Sequence, residues 1–247
     1  MKNLLIVIIF SVMVVSSFAQ QMNVTYKYSE QKNRELNYTA EVTYPQVDFG
    51  PDALMGVRGI ASDINNLIES RIGIYIKGFE DQLKLIKTDD PEKRMRTLKI
   101  TSESSVSGGT LLSVRFTLFM NIPGMAHPVT HDSSFNYSVT SSGELDLRDL
   151  FNENADYLTY VSSYSQKELE ANAYSQGNEN VFDMIKFGTS PEPKNFRVWN
   201  ISNDSLSITF NPAQAAPYYF GMQTVKIPLD GMLGIIDRKG PLEYLFR

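Results

Sequence analysis

The stretch LNYTAEVTYPQVDFGPDALMGVRGIASDINNLIES, residues 36–70, changes its hydrophobic period halfway along. Residues 36–44 alternate apolar and polar side chains, which predicts a half-buried strand that Pro45 ends or places at a sheet edge. From Asp52 onward, apolar residues recur every three or four positions over many turns. This spacing predicts a long amphipathic helix that can break near Gly73.

A hairpin is predicted around Gly108-Gly109, because a Gly-Gly pair between two alternating segments is a turn signal. In the second of these segments, residues 112–120, the even-numbered positions are apolar and are expected to face the core. Ser113, Arg115 and Thr117 alternate with them and are therefore expected to face outward.

The rest of the chain continues as groups of strands with helices between them. The long helix is expected to stop at Asp89-Asp90-Pro91, and a second helix is expected over 154–173, with Gly177 as its stop and a short helix over 179–187 following. Further strands are expected over 24–29, 97–106, 133–139, 196–202, 205–210 and 223–229. This order predicts an α+β fold, a mostly antiparallel sheet packed with one long and one or two shorter helices.

The first 19 residues have the features of a signal peptide. Lys2 supplies the positive start, Leu4 to Val15 form an apolar run, and small residues lead to an expected cleavage after Ala19. The alternative is an uncleaved membrane anchor, but the apolar run is shorter than the about 20 residues that span a bilayer. We therefore expect residues 20–247 to be exported to the periplasm or the medium, with no membrane span after cleavage.

Composition narrows the classes of function. The chain has no Cys, so a thiolate nucleophile, an iron–sulfur cluster, a Cys-based zinc site and a disulfide framework are all impossible. The net charge is −5, and the basic residues are scattered apart from one short cluster at 93–96. Nucleic acid is therefore not an expected partner.

Both histidines lie in the stretch MAHPVTHDSSFNY, residues 125–137. The spacing of His127 and His131 matches two zinc ligands one helical turn apart. Pro128 lies between them, however, and the residues that follow alternate as in a strand. We favour His127 as a turn residue that bonds to the backbone and His131 on a strand face, with no metal and no cofactor.

Catalytic motifs are weak. There is no G-x-S-x-G nucleophile elbow, and the one S-x-x-K match, Ser29 to Lys32, lacks the partner motifs of its enzyme class. The segment NENAD, residues 152–156, alternates oxygen ligands like a calcium loop, but a helix N-cap at Asn152 or Asn154 is favoured. A pair of carboxylates for acid–base catalysis stays possible, because their separation in space is not visible in a sequence.

Tyrosines suggest where a ligand could bind. Tyr157, Tyr160 and Tyr164 share one face of the second helix, where packing on a sheet is favoured over sugar stacking or a protein interface. Tyr218 and Tyr219 follow Pro217 in an expected loop, where a binding role has more weight.

Three segments in order resemble a known family: YTAEVTYPQV (38–47), GMAHPVTHDSSFNYSVTSSGELDLRDLF (124–151) and DSLSITFNPAQAAPYYFGMQTVKIPLDGM (204–232). The family is the secreted domain of unknown function found in RsiV-type anti-sigma factor ectodomains and in PdaC-like polysaccharide deacetylases. Its motifs are matched by an Ala-His turn, an L-x-L-x-D-L-F segment, and F-x-P followed by A-P-Y, here Ala126-His127, Leu145 to Phe151, Phe210-Asn211-Pro212 and Ala216-Pro217-Tyr218.

The resemblance implies an exported sensor or binding domain that works at the cell wall. RsiV-type ectodomains bind lysozyme, and the domain in deacetylases suggests wall-glycan binding. The resemblance also implies that residues 20–247 form a single α+β unit with two family sub-regions, at about 34–124 and 125–234. Ala213-Gln214 depart from the family, whose members often carry an aromatic residue and an acid at these positions.

The leading hypothesis is therefore a non-enzymatic, exported binding protein of the bacterial cell envelope. Its expected partner is a lysozyme-like protein or a peptidoglycan fragment, and its candidate contacts are His127, Pro128, Tyr218 and Tyr219. One alternative is an enzyme that acts on cell-wall glycan with carboxylates that the sequence does not identify. A second alternative is a structural envelope protein with no small ligand.

Overall fold

The computed structural model describes residues 21–85 and 95–247. The expected signal peptide at 1–19 and the expected helix stop at Asp89-Asp90-Pro91 lie outside the described residues. The described part contains three α-helices and nine strands: β1 Asn23–Asn33, β2 Tyr38–Asp48, α1 Met55–Leu85, β3 Arg96–Ser107, β4 Leu111–Asn121, β5 Val129–Ser138, β6 Gly143–Glu144, α2 Tyr157–Ser175, α3 Phe182–Gly188, β7 Trp199–Ile201, β8 Ser205–Phe210 and β9 Gln223–Pro228.

The strands form two sheets. The first sheet has the order β1-β2-β3-β4-β5-β6 and the second has the order β7-β8-β9. Every neighbouring pair is antiparallel except β2 and β3, which run parallel because α1 carries the chain back from the end of β2 to the start of β3. The expected α+β fold with a mostly antiparallel sheet, one long helix and two shorter ones is confirmed.

The first core lies between α1 and one face of the first sheet. The apolar stripe of α1 meets the inward side chains of β2, β3 and β4, and the fully buried members include Ile64, Ile68, Phe79, Leu98, Ile100, Val114 and Phe116. The alternating pattern of these strands thus gives one buried face, as expected. Burial of several such side chains, each contributing roughly 1.5–3 kcal/mol, makes this layer the main stabilising feature of the first half.

One expectation for this half is wrong. Helix α1 runs unbroken through Gly73, because its apolar stripe continues on both sides of the glycine and packs on the sheet. Pro45 does not end β2, but it lies where β2 is an edge on the side of β3, which is the second form of the expectation. The Thr43 carbonyl points toward β3, where it accepts a hydrogen bond from the Ser102 hydroxyl. Pro45 is two residues further along the strand, so its nitrogen points to the same side. The β2–β3 pairing ends at Val42, so the missing N–H of Pro45 costs no hydrogen bond between the strands.

Replacing Gly73 with alanine is expected to raise the free energy of unfolding by about 0.5–1 kcal/mol. No heavy atom lies within 4 Å of the place that a new Cβ would take, so only the helix propensity changes. The control is Gly177→Ala, which also meets no neighbour within 4 Å but holds φ at +70°, where alanine is strained. Urea unfolding should give opposite signs for the two variants, and a loss of stability at Gly73 would contradict the expectation.

The second core lies between the second sheet and helices α2 and α3. It includes Val161, Leu169, Ile185, Trp199, Leu206, Ile208, Phe210, Val225 and Ile227. The tyrosine face of α2 packs against this core as favoured: the ring of Tyr157 stacks on Phe151 at 4.8 Å between centroids, and Tyr160 donates to the Gly231 carbonyl at 3.1 Å.

The ends of α2 show one expected and one unexpected cap. At the carboxyl end, the Gly177 nitrogen donates to the Tyr174 carbonyl with φ at +70°, so glycine is the stop. At the amino end the expected caps Asn152 and Asn154 are wrong. Asp156 is the N-cap, and its carboxylate accepts a hydrogen bond from the Thr159 backbone nitrogen. The helix thus begins after Asp156, at the end of the polar segment 152–156 and not within it.

The two sheets meet through polar side chains. Ser113 of β4 was expected to face outward, but β7 covers this face and buries the side chain completely. The Ser113 hydroxyl donates to Asn136 Oδ1 at 2.6 Å and accepts from the Ile201 nitrogen at 3.0 Å, and Asn136 Nδ2 donates to the Trp199 carbonyl at 3.0 Å. We call the side chains that make these bridges, Ser113, Ser134, Asn136 and Asn211, the polar seam.

Candidate functional site

Three of the four candidate contact residues come together at one surface. His127 lies in a bend between β4 and β5, and Tyr218 begins a short 3-10 turn between β8 and β9. Their rings lie 4.3 Å apart between centroids at an interplanar angle of 32°. The Tyr218 hydroxyl donates to the Pro128 carbonyl at 3.0 Å, so loops that are 90 residues apart in sequence form one structure.

The His127 ring is held on both sides. Its Nδ1 lies 3.0 Å from the Pro128 carbonyl oxygen, and because a carbonyl only accepts, Nδ1 carries the proton in this contact. The interpretation of His127 as a turn residue bonded to backbone is therefore confirmed. Nε2 is the ring nitrogen that this contact leaves unused.

Tyr219 is the more exposed of the two tyrosines. Its side chain is 77% exposed, against 40% for Tyr218, and its ring rests on Phe220 at 4.8 Å between centroids. Met125 adds a further exposed apolar side chain. We call His127, Pro128, Tyr218 and Tyr219 the aromatic surface.

The backbone on each side of Tyr218 and Tyr219 explains their presentation. Pro217 precedes the turn, and its carbonyl accepts from the Phe220 nitrogen. Gly221 ends the turn at φ +69°, in the left-handed region that favours glycine. Pro217, at φ −54°, and Gly221 thus bound the short turn that carries the two consecutive tyrosines.

The second histidine does not join this surface through a helical turn. His131 lies on β5 opposite Leu118, and partial burial lowers its pKa while the neighbouring Asp132 opposes the change. Residues 126–131 form a bend and the start of a strand, so the spacing typical of a helical zinc site is not realised. Within residues 21–85 and 95–247, no three His, Asp or Glu side chains are grouped where they could hold a metal ion.

Sequence reasoning missed the buried polar residues beneath the site. Asn211, of the F-N-P motif, accepts from the Asp132 nitrogen at 2.6 Å and donates to the Asp132 carbonyl at 3.0 Å. Its side chain thus extends the backbone pairing of β5 and ties the second half to the first. The one feature of the sequence that pointed to Asn211 was its place in the middle of the F-x-P motif.

Asp132 is a buried carboxylate at the same place. Thr117 donates to its Oδ1 at 2.7 Å, and Arg115 Nε lies 3.7 Å from Oδ2. Burial raises the pKa of Asp132, while the Thr117 hydrogen bond and the Arg115 charge act in the opposite direction. With both oxygens turned toward β4 neighbours, this group supports the loop base rather than reaching a ligand at the aromatic surface.

Residues 148–230 match the family model described as "Protein of unknown function (DUF3298)". The match covers about a third of the chain, and we call residues 148–230 the DUF3298 segment after the model that matches them. The DUF3298 segment contains α2, the second sheet, Tyr218 and Tyr219, and it excludes the bend that holds His127 and Pro128. The aromatic surface therefore combines a loop of the DUF3298 segment with a loop that precedes it.

Relatives and solved structures agree with this family. Over 104 residues, the chain is 33% identical to the peptidoglycan-N-acetylmuramic acid deacetylase PdaC of Bacillus subtilis. The aligned residues make up 42% of this chain and 22% of that protein. The sequence resemblance to a PdaC-like domain of unknown function is thus confirmed. The relation is to a part of a cell-wall deacetylase, about a fifth of its length.

Two solved DUF3298 structures share the fold. A protein from Pseudomonas aeruginosa aligns over 89% of this chain and 96% of its own, with a TM-score of 0.62 and 13% identity. A protein from Bacteroides fragilis aligns over 88% of this chain and 93% of its own, with a TM-score of 0.57 and 15% identity. No helix in the part of the chain that the structure describes is both long enough and apolar enough to cross a membrane.

Proposed function

We propose that this chain is an exported, non-enzymatic binding domain of the bacterial cell envelope and that its aromatic surface takes a peptidoglycan glycan fragment. The observation that carries the proposal is the contact of His127 with Tyr218 beside the exposed Tyr219. The partial relation to a peptidoglycan deacetylase supports glycan as the ligand class. The apolar run and small residues at 1–19 support export.

The geometry suits a sugar ring. Tyr219 offers a free aromatic face, on which the C–H face of a sugar can stack. Tyr218 is fixed by its hydrogen bond to Pro128, so little conformational freedom is lost when a ligand arrives. His127 Nε2 adds an acceptor for a sugar hydroxyl or amide next to the stacking face.

Replacing Tyr219 with alanine is expected to weaken binding of muropeptides about five- to tenfold, which is the loss of one aromatic contact. Binding of purified chain to muropeptides is measured by calorimetry. The matched control is Tyr174→Ala, because Tyr174 is 66% exposed on α2 and lies outside the aromatic surface. An equal loss in both variants, or no muropeptide binding by the unaltered chain, would contradict the proposal.

The same preparation separates the other partners. A c-type lysozyme titrated against the chain, with muramidase activity followed in parallel, tests the lysozyme-like partner. Tight binding with lost activity and no muropeptide binding would replace the glycan by a protein ligand, with Met125 and Tyr219 as its apolar contacts. A change in muropeptide mass during incubation would instead show an enzyme.

A further inference from the structure

A second, polar recess lies between the two sheets. The second sheet has two unlike faces, because successive side chains of β8 and β9 alternate. Leu206, Ile208, Val225 and Ile227 point into the second core, while Ser207, Thr209, Thr224 and Lys226 belong to the other face. That other face and the outer face of β3 and β4 enclose about 280 Å³, which we call the inter-sheet cleft.

All but one of the described residues that line the inter-sheet cleft have polar side chains. Hydroxyl groups dominate it, from Ser104, Ser105, Ser113, Ser202, Ser207, Thr209 and Thr224. Asn200 and Ile201 complete the wall, and no aromatic side chain takes part. A hydroxyl both donates and accepts, so such a wall matches a ligand that is itself rich in hydroxyl groups.

Strands hold these hydroxyls in fixed positions. The Ser105 hydroxyl donates to the Ile201 carbonyl at 2.6 Å. The hydroxyl oxygens of Thr209 on β8 and Thr224 on β9 are hydrogen-bonded at 3.1 Å. Ser207 lies on β8 opposite Lys226 of β9, and its hydroxyl makes no hydrogen bond with the described residues. Sites on rigid strands need little ordering when a ligand binds.

Lys226, Arg115 and Glu103 line the inter-sheet cleft, and the buried Asp132 carboxylate lies 3.7 Å from the Arg115 guanidinium. Lys226 makes no hydrogen bond or ion pair within the described ranges, although its charge acts on Asp204. Arg115 is paired with Glu103 at 2.7 Å, but the Glu103 side chain is 78% exposed. Exposed pairs of this kind contribute little to stability, so a ligand anion can displace Glu103 from the guanidinium.

We propose that the inter-sheet cleft binds a small anionic saccharide, with Lys226 and Arg115 on its acidic group and the strand hydroxyls on its hydroxyl groups. The volume is near the lower end of ligand sites, about 300–1,000 Å³, which fits a ligand of about one sugar ring. The absence of an aromatic wall excludes stacking as the means of recognition. This site is separate from the aromatic surface and does not depend on it.

The test is a titration of the full chain with glucuronate, glucose 6-phosphate and glucose, followed by amide shifts of β8 and β9. Both anions are expected to bind at least about tenfold more tightly than glucose, the effect of a charge-assisted bond. Whichever anion binds more tightly identifies a carboxylate or a phosphate as the preferred acidic group. Binding of both should weaken as salt is raised.

Three variants assign the residues. Lys226→Gln is expected to weaken both anions about tenfold and to leave glucose unchanged. Glu103→Gln is expected to tighten both anions severalfold, because Arg115 loses its nearer, exposed partner and keeps only Asp132 at 3.7 Å. Lys186→Gln, on the exposed side of α3, is the matched control and should change nothing.

The site would be overturned by any of three results. These are equal shifts with glucose and glucuronate, unchanged titration of the Lys226 variant, or no shift of β8 and β9 amides with any sugar. Since Lys226 and Glu103 are exposed, the variants should melt like the unaltered chain. The Tyr219 experiment is unaffected by each of these outcomes, so the two sites are judged separately.

Discussion

Replacing Gly188 with alanine should lower the free energy of unfolding by about 3 kcal/mol or more. Gly188 is buried at the end of α3, and a Cβ there would lie 2.7 Å from the Ala215 Cα and in contact with the Gln214 carbonyl. Both neighbours are backbone atoms, so no side-chain rotation can make room. The loop that follows β8 must move away from α3, and the second core loses its packing at Ala215.

Urea unfolding of Gly188→Ala against the unaltered chain measures this loss. Gly73→Ala serves as the reference for an alanine that meets nothing, and it should shift the midpoint in the other direction. A loss below about 1 kcal/mol at Gly188 would mean that the loop at 213–216 yields at little cost. Far-UV circular dichroism distinguishes a destabilised native fold from a chain that no longer folds.

Replacing Asn136 with alanine should lower the free energy of unfolding by about 2–3 kcal/mol. Asn136 is buried, and its side chain joins Ser113 of β4 to the Trp199 carbonyl of β7. Without it, the Trp199 carbonyl and the Ser113 hydroxyl each lose a buried side-chain partner. An orphaned buried polar group is more costly than the mean value of a hydrogen bond.

A double-mutant cycle with Ser113→Ala gives the sharper test. Because the two side chains bond each other directly, the double variant should cost less than the sum of the single variants by about 0.5–3 kcal/mol. Asn172→Ala, on the exposed side of α2, is the control and should stay within about 0.5 kcal/mol of the unaltered chain. Strict additivity would show that the polar seam does not act as one network.

Much of the fold follows from period and turn residues. The alternation in 36–44 and 112–120 gave β2 and β4, the three- and four-residue spacing after Asp52 gave α1, and Gly108-Gly109 gave the hairpin of β3 and β4. Two of the failures come from tertiary contact. Gly73 and Ser113 each sit where a neighbouring element decides the outcome, and no local pattern reports that neighbour.

The aromatic surface was only partly predictable. That His127 and Tyr218 lie in loops could be inferred from their flanking prolines and glycines, but the contact between loops 90 residues apart could not. The inter-sheet cleft left no sign at all. Alternating Ser, Thr and Lys on β8 and β9 are typical of a solvent face, and only the placement of the two sheets turns that face into a wall.

The polar seam also bears on how the molecule opens. Apart from Leu111 of β4, the first and second cores share no buried apolar residue. Separating the two layers at the polar seam would therefore break hydrogen bonds but expose little apolar surface. Denaturant lowers the free energy of unfolding in proportion to the surface that is exposed, so it has little effect on this separation. Water can take the place of the hydrogen bonds that are lost. We therefore expect the two layers to separate locally at the polar seam before either core unfolds.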